Sequence, residues 1–335
     1  MKNNIITLGV LILIAVSAGC KNPTAALPIL AQPNATSWTK ATDTAAFGNR
    51  MYHTSVVYNN KMWVIGGGYG INSNTNEVWS SSDGITWTLS PATAPFPGRS
   101  MHTSLVFDNK MWVIGGRISA YSQNDVWWST DGATWNLAPA ATPFTVRDEA
   151  AGVVYQNRMW IIGGHNIQNV IDYNDVWSSS DGSTWVQNTA SAAFQPRYEH
   201  TCLVYDAKDG AGEKMWLFAG SGYDDVWNSG DGVTWECVTG TAEFGGRYGQ
   251  TSLVYDQHDG NGEKMWILGG DTLISWVTYF LSDAWSSKDG TTWTRATADP
   301  VYSGRWDHTS VVFDDKMWVI GGYGGAYRTD AWWTK

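Results

Sequence analysis

Met111-Trp112-Val113-Ile114-Gly115-Gly116, then Asp125-Val126-Trp127, then Asp131-Gly132-Ala133-Thr134-Trp135 follow Arg99 in that order. An apolar run closes on a glycine doublet, an acidic residue and a small aliphatic one precede a Trp, and an Asp-Gly turn leads to another Trp. The same sentence is written six times. Its opening Arg recurs as Arg50, Arg99, Arg147, Arg197, Arg247 and Arg305, at spacings of 49, 48, 50, 50 and 58 residues. Self-similarity at a period near 50 points to a ring or array of small units, none of which can bury its apolar face alone.

Within a unit the segments alternate at period two, are rich in Val, Ile, Thr and Trp, and are parted by Gly, Asn and Asp turns, which predicts strands. In the first unit these are strand A over His53 to Tyr58, B over Met62 to Ile65, C over Val78 to Ser81 and D over Trp87 to Leu89. Four strands per unit of about 50 residues make one propeller blade. The sixth unit stops at Thr334-Lys335, before its strand D, and Thr36-Ser37-Trp38-Thr39-Lys40-Ala41-Thr42 matches the D segment Thr291-Thr292-Trp293-Thr294-Arg295-Ala296-Thr297. The expected fold is therefore all-β: a six-bladed β-propeller of four antiparallel strands per blade, with the N-terminal strand closing the last blade. The Gly doublets, the Arg before strand A and the Trp positions resemble the Kelch family over nearly all of residues 36–335. That resemblance is specific for fold and not for activity, since Kelch propellers include enzymes, binding modules and adaptors.

Composition sets outer limits. The chain has 335 residues, 43% of them apolar, with 22 Trp and 36 Gly, which suits a repeated globular fold. A net charge of −10 repels phosphate backbones and anionic lipid headgroups, so nucleic acid is not an expected partner and the membrane is expected only through an anchor. Lys2, the apolar run Ile5 to Val16 and the small residues before Cys20 read as an export signal over residues 1–19. Val16-Ser17-Ala18-Gly19-Cys20 resembles the lipobox of bacterial lipoproteins, which implies lipidation of Cys20 and a place in the cell envelope, at the outer membrane or cell surface. Residues 20–35 then form a tether, and 36–335 the propeller. A monomer is expected.

A residue present in every copy is explained first by the fold. The Arg series is expected to pair with the acid opening strand C, between blades. His53, His102, His200 and His308 share a slot that Ala150 and Gln250 fill elsewhere, and are expected to be hydrogen-bonding residues with no metal. The Asp-Gly-x-Thr-Trp turns resemble the Asp-box of sialidase-type propellers, one residue shorter, and imply a capped turn without sialidase chemistry. The hairpins Asp206 to Glu213 and Asp256 to Glu263 read as Gly-rich turns rather than calcium loops. Cys202 and Cys237 fall on strands A and D of one blade, roughly 14 Å apart at about 4.8 Å per strand, so no disulfide is expected.

Candidate site residues are those that differ between copies. The pairs after each Arg are Met51-Tyr52, Ser100-Met101, Asp148-Glu149, Tyr198-Glu199, Tyr248-Gly249 and Trp306-Asp307. In Kelch propellers such residues lie at the channel mouth beside the loops from strand B to strand C, here holding Tyr69, Arg117, His165, Tyr223, Asp271 and Tyr323. The expected ligand contacts are Tyr52, Asp148, Glu149, Tyr198, Glu199, Tyr248, Trp306, Asp307, Arg117 and His165. Flat aromatics beside carboxylate acceptors suit sugar rings, and a cationic peptide as well. The favoured function is a non-catalytic envelope protein binding a glycan or protein partner, with no cofactor. The resemblance also implies an enzymatic alternative, a sialic-acid mutarotase-like activity on Glu149, Glu199, Asp307 and His200. A copper-radical oxidase is the weakest reading, since only Cys202 lies near an inner strand.

Overall fold

The run Lys61–Ile65, Lys-Met-Trp-Val-Ile, has no polar residue after its first position, and Met62 through Ile65 are buried on both faces of their sheet. The second strand of every repeat shows this burial, so each must be covered by sheets on either side. The computed structural model describes residues 37–70, 73–139, 142–297 and 302–334. In it the six repeats form six four-stranded antiparallel sheets, the blades of a six-bladed propeller, and no helix occurs among the described residues.

Blade 1 is built from Thr54–Tyr58, Lys61–Ile65, Val78–Ser81 and Thr88–Leu89, in that order from inner to outer edge. Blades 2 to 5 repeat it, their inner strands being Thr103–Phe107, Ala151–Tyr155, Thr201–Asp206 and Thr251–Asp256. Blade 6 takes Thr309–Phe313, Lys316–Ile320 and Ala331–Thr334 from the C-terminal end and Trp38–Thr42 from the N-terminal end. Trp38 pairs with Thr334 and Lys40 with Trp332, and Thr334 Oγ1 donates to the Ser37 carbonyl at 2.6 Å. The expected closure of the ring by the first strand is present.

There is no single core. Six apolar clusters form, each between two adjacent blades: Val56, Trp63 and Ile65 of blade 1 pack on Met111 and Val113 of blade 2, and Met62 and Val64 pack on Val311, Phe313 and Trp318 of blade 6. The repeated Trp explains the repeated Gly. Trp63 donates its indole N–H to the Tyr58 carbonyl at 2.9 Å and lays its ring on Gly132 in the Asp-Gly turn of the next blade. A Cβ at Gly132 would stand 2.1 Å from that ring, and Gly132 has φ +74°. Trp112 sits on Gly182 and Trp160 on Gly232 in the same way. Gly132→Ala combines overpacking with a left-handed backbone and should cost about 2–4 kcal/mol, read as a lower denaturation midpoint; an unchanged midpoint would contradict this packing.

The turn itself is capped as expected. Asp131 Oδ1 accepts from the amides of Ala133 and Thr134 at 2.8 and 2.7 Å, while Ser129 Oγ accepts from Gly132 N at 2.8 Å. The long hairpins of blades 4 and 5 use their acids similarly: Asp206 Oδ1 accepts from Lys208 N and Asp209 Oδ1 from Ala211 N, each at 2.8 Å. These carboxylates cap their own turns.

One expectation needs correction. The Arg–acid pairs lie within blades, not between them: Arg99 grips Asp125 in a bidentate pair at 2.7 and 2.8 Å, and both flank strands of blade 2. The inter-blade tie is made instead by the Arg main chain, whose carbonyl accepts from the preceding blade's glycine doublet, as in Gly67 N to Arg99 O at 2.8 Å. An aromatic series three residues before each Arg also escaped the sequence reading. Phe96 underlies the Arg99 guanidinium at 5.4 Å and meets Trp135 edge-on at 5.2 Å. Cys202 is a free thiol, so no bridge joins it to Cys237, as the strand distance predicts. The export signal and Cys20 lie in residues 1–36, outside the described residues.

Candidate functional site at the channel mouth

The second residue after each Arg is Tyr52, Met101, Glu149, Glu199, Gly249 or Asp307, and all six have left-handed backbone, with φ between +49° and +58°. For non-glycine residues that state costs roughly 1–2 kcal/mol each, so something must hold it. The holder is a backbone bond to the neighbouring blade. Tyr52 N donates to Asp307 O at 3.2 Å, Met101 N to Tyr52 O at 2.9 Å, Glu149 N to Met101 O at 2.8 Å and Asp307 N to Gly249 O at 3.0 Å. Four of the six steps around the channel axis are thus closed by main-chain bonds, which make up a partial hoop.

This conformation splits each variable pair. The first member is tied by backbone bonds to the loop from strand B to strand C: Ser100 bridges Arg117, Asp148 bridges His165, Tyr248 bridges Asp271 and Trp306 bridges Tyr323. The second member lines a cavity of about 220 Å³ walled by Tyr52, Met101, Glu149, Glu199, Gly249 and Asp307, with the histidine slot beside them. Of the expected contacts, Tyr52, Glu149, Glu199, Asp307 and His200 share this cavity. Tyr198, Tyr248, Trp306 and His165 stand around it: Trp306 meets Tyr52 at 6.0 Å, and Tyr198 lies 6.4 Å from Tyr248 and 5.3 Å from His165. Asp148 and Arg117 do not line the cavity. Asp148 accepts from Ser122 Oγ at 2.7 Å, and the buried Arg117 reaches Met101 Sδ at 3.6 Å, so both serve the loop packing beneath the rim. Tyr223, another loop residue, covers the Arg197 guanidinium at 4.6 Å.

Three of the four slot imidazoles are spent on structure. Thr54 Oγ1 meets His102 Nε2 at 2.8 Å, Thr309 meets His53 at 3.1 Å and Thr251 meets His308 at 3.1 Å, each across a blade boundary. Burial pushes all four His down to about 3, so they are neutral. They do not converge on a common point, and no three of the His, Cys, Asp or Glu side chains among the described residues come together as a metal site. The copper-oxidase set is not assembled here: Cys202, its one candidate, is buried, and burial pushes its thiol up.

The carboxyls are the unusual groups. Burial pushes Glu149, Glu199 and Asp307 well above the ordinary carboxylate range, and their mutual repulsion adds to it. Asp271 nearby is pushed up to about 7, also by burial. The three lining acids are half-buried, walled by protein but open to the channel, which limits how far the shift can run. Each binds its proton more tightly folded than unfolded. The stability it contributes is therefore present below the ordinary value of about 4.3 and lost as pH rises toward the folded value. Glu149→Gln with Glu199→Gln should unfold at a higher temperature than the parent, by a margin that widens from about pH 5 to about pH 8; a margin that narrows over that range would refute the shifts.

A closed ring of six blades with its variable groups gathered at one channel mouth defines a propeller built for recognition or chemistry at its axis. The chain belongs to the Kelch-repeat family: a family model described as KLHDC2/KLHL20/DRC7 Kelch-repeats domain matches residues 18–220, more than half of the chain. Among solved structures it is similar to that of YjhT, with a TM-score of 0.68 and 14% identity, covering 87% of this chain and 96% of that one. At that identity the likeness concerns the fold. No curated protein matches.

Proposed function

We propose that the protein is an exported binding protein that takes a sugar unit of a glycan in the channel mouth. One observation supports this above the others: Glu149, Glu199 and Asp307 face a cavity of about 220 Å³ edged by Tyr52, Tyr198, Tyr248 and Trp306. That is small beside the roughly 300–1,000 Å³ of drug-sized sites, and suits a single ring whose C–H face stacks on an aromatic while its hydroxyls donate to carboxylates. A glycan array read with the parent chain and with Trp306→Ala tests it. At least a tenfold loss of signal in the variant is expected, and equal binding would dismiss this mouth as the site.

The mutarotase-like alternative draws on the carboxyls, which burial raises so that they keep their protons to higher pH than an ordinary carboxyl, as suits a general acid. Against it, a sialic acid carries its own carboxylate, and no Lys or Arg lines the cavity to meet it. Proton NMR of anomer exchange in sialic acid should show the uncatalysed rate; acceleration abolished by Glu199→Gln would favour the enzyme. Lipidation at Cys20 belongs to the same proposal. Intact mass of the membrane fraction should show added acyl mass that survives reduction, whereas a thiol freed only by reduction would overturn it.

A further inference from the structure

We propose that the ligand of the channel mouth carries a primary ammonium group, as an amino sugar does, and that Glu149, Glu199 and Asp307 receive it. This rests on the sugar-binding reading above and names the class of sugar. The three acids line one cavity, and none of the cavity's residues is a Lys or Arg. The repeated arginines cannot turn toward it, because each is held by the acid before strand C of its own blade, as Arg197 is by Asp225 at 2.6 and 2.8 Å. Arg117 is the cation whose field reaches Glu149, and its guanidinium is committed to the loop beside Met101. Neutral hydroxyls would need one or two acceptors. Three acids drawn together against their own repulsion, without a counter-charge inside the cavity, are matched by a cation supplied from outside.

A second observation marks the same cavity as unfinished. His200 is 6% exposed, lines the cavity, and its Nε2 lacks the threonine hydroxyl that the other three slot histidines meet. The cause lies in blade 3, where Ala151 stands in the position from which Thr54, Thr251 and Thr309 reach a neighbouring imidazole. Ala150 likewise replaces the slot His of that blade. Two small residues thus stand beside Glu149, and His200, its Nε2 without a partner, stands beside Glu199, on the side of the mouth where the acids gather. A sugar hydroxyl flanking the ammonium would give His200 the partner the fold withholds.

Calorimetry on the full chain at about pH 6, where the amines are protonated, tests this with a β-1,4-linked glucosamine trisaccharide, its N-acetylated counterpart and trilysine. The glucosamine trisaccharide should bind at least tenfold tighter than the acetylated one, and Glu149→Gln with Glu199→Gln should shrink that preference below about threefold. A control with Asp43→Asn and Asp108→Asn, two exposed acids, removes the same charge and should leave the preference intact. Equal binding of both trisaccharides would overturn the ammonium inference while sparing the sugar reading. Tighter binding of trilysine would overturn the amino-sugar assignment, and silence from all three, with equal array signals from the parent and Trp306→Ala, would remove both.

Discussion

A chain lacking Ser37 to Thr42 should unfold more than about 10 °C below the parent and associate through its exposed edge. The deleted strand supplies Trp38, which is 5% exposed, packs edge-on against Tyr302 at 5.0 Å and belongs to the cluster between blades 5 and 6. Losing a buried Trp alone costs about 3–5 kcal/mol, and each kcal/mol is worth roughly 2–4 °C in domains approaching this size. The backbone adds to the loss. Ala331–Thr334 would become an open edge, able to pair with a second chain. Scanning calorimetry with light scattering reads both effects, and Trp38→Ala should reproduce part of the first without the second. A deletion that melts with the parent and stays monomeric would mean that the ring holds without its latch.

Breaking a repeat's ion pair should cost unequal amounts around the ring. Arg197 and Asp225 are 0% and 2% exposed, and Asp225 also accepts from the Trp227 indole at 2.7 Å. Arg197→Met leaves that carboxylate buried without its cation, a change worth about 3–5 kcal/mol. Blade 1 offers the contrast. Its Arg50 pairs with Glu77, whose side chain is 40% exposed, so a Glu77 left alone by Arg50→Met can turn to water. That variant should lose clearly less, although Arg50 also donates to the Gly66 carbonyl at 3.0 Å. Denaturant midpoints compare the two, and equal losses would show that packing of the Arg stem, not charge burial, sets the cost.

The strands were legible because a blade leaves its period in the chain: Met-Trp before Gly-Gly marks a sheet's second strand wherever it occurs. Closure was legible because the match between residues 36–42 and 291–297 is a matter of letters. Direction was harder to read. The separation of 25 to 36 positions between each Arg and its acid allows a pair within a blade or across two, and only the buried geometry decides. The site was half legible for a related reason. Adjacency in the repeat puts both Asp148 and Glu149 among the expected ligand contacts, but the left-handed φ of +55° at Glu149 sends one acid to the loop and the other to the cavity. Gly249 at the equivalent position was the available hint, since Gly tolerates that conformation freely. The missing threonine partner of His200 required seeing which blade's Thr reaches which blade's imidazole.

The hoop of main-chain bonds at the mouth has a consequence for how such a protein can change. Because amides and carbonyls, not side chains, hold four of its six steps, the sockets it carries are interchangeable within one rule, that the occupant accept the left-handed backbone found at all six positions. Asn, Asp and Gly do so at least cost. New recognition can therefore be written one socket at a time, with the barrel of sheets beneath left untouched.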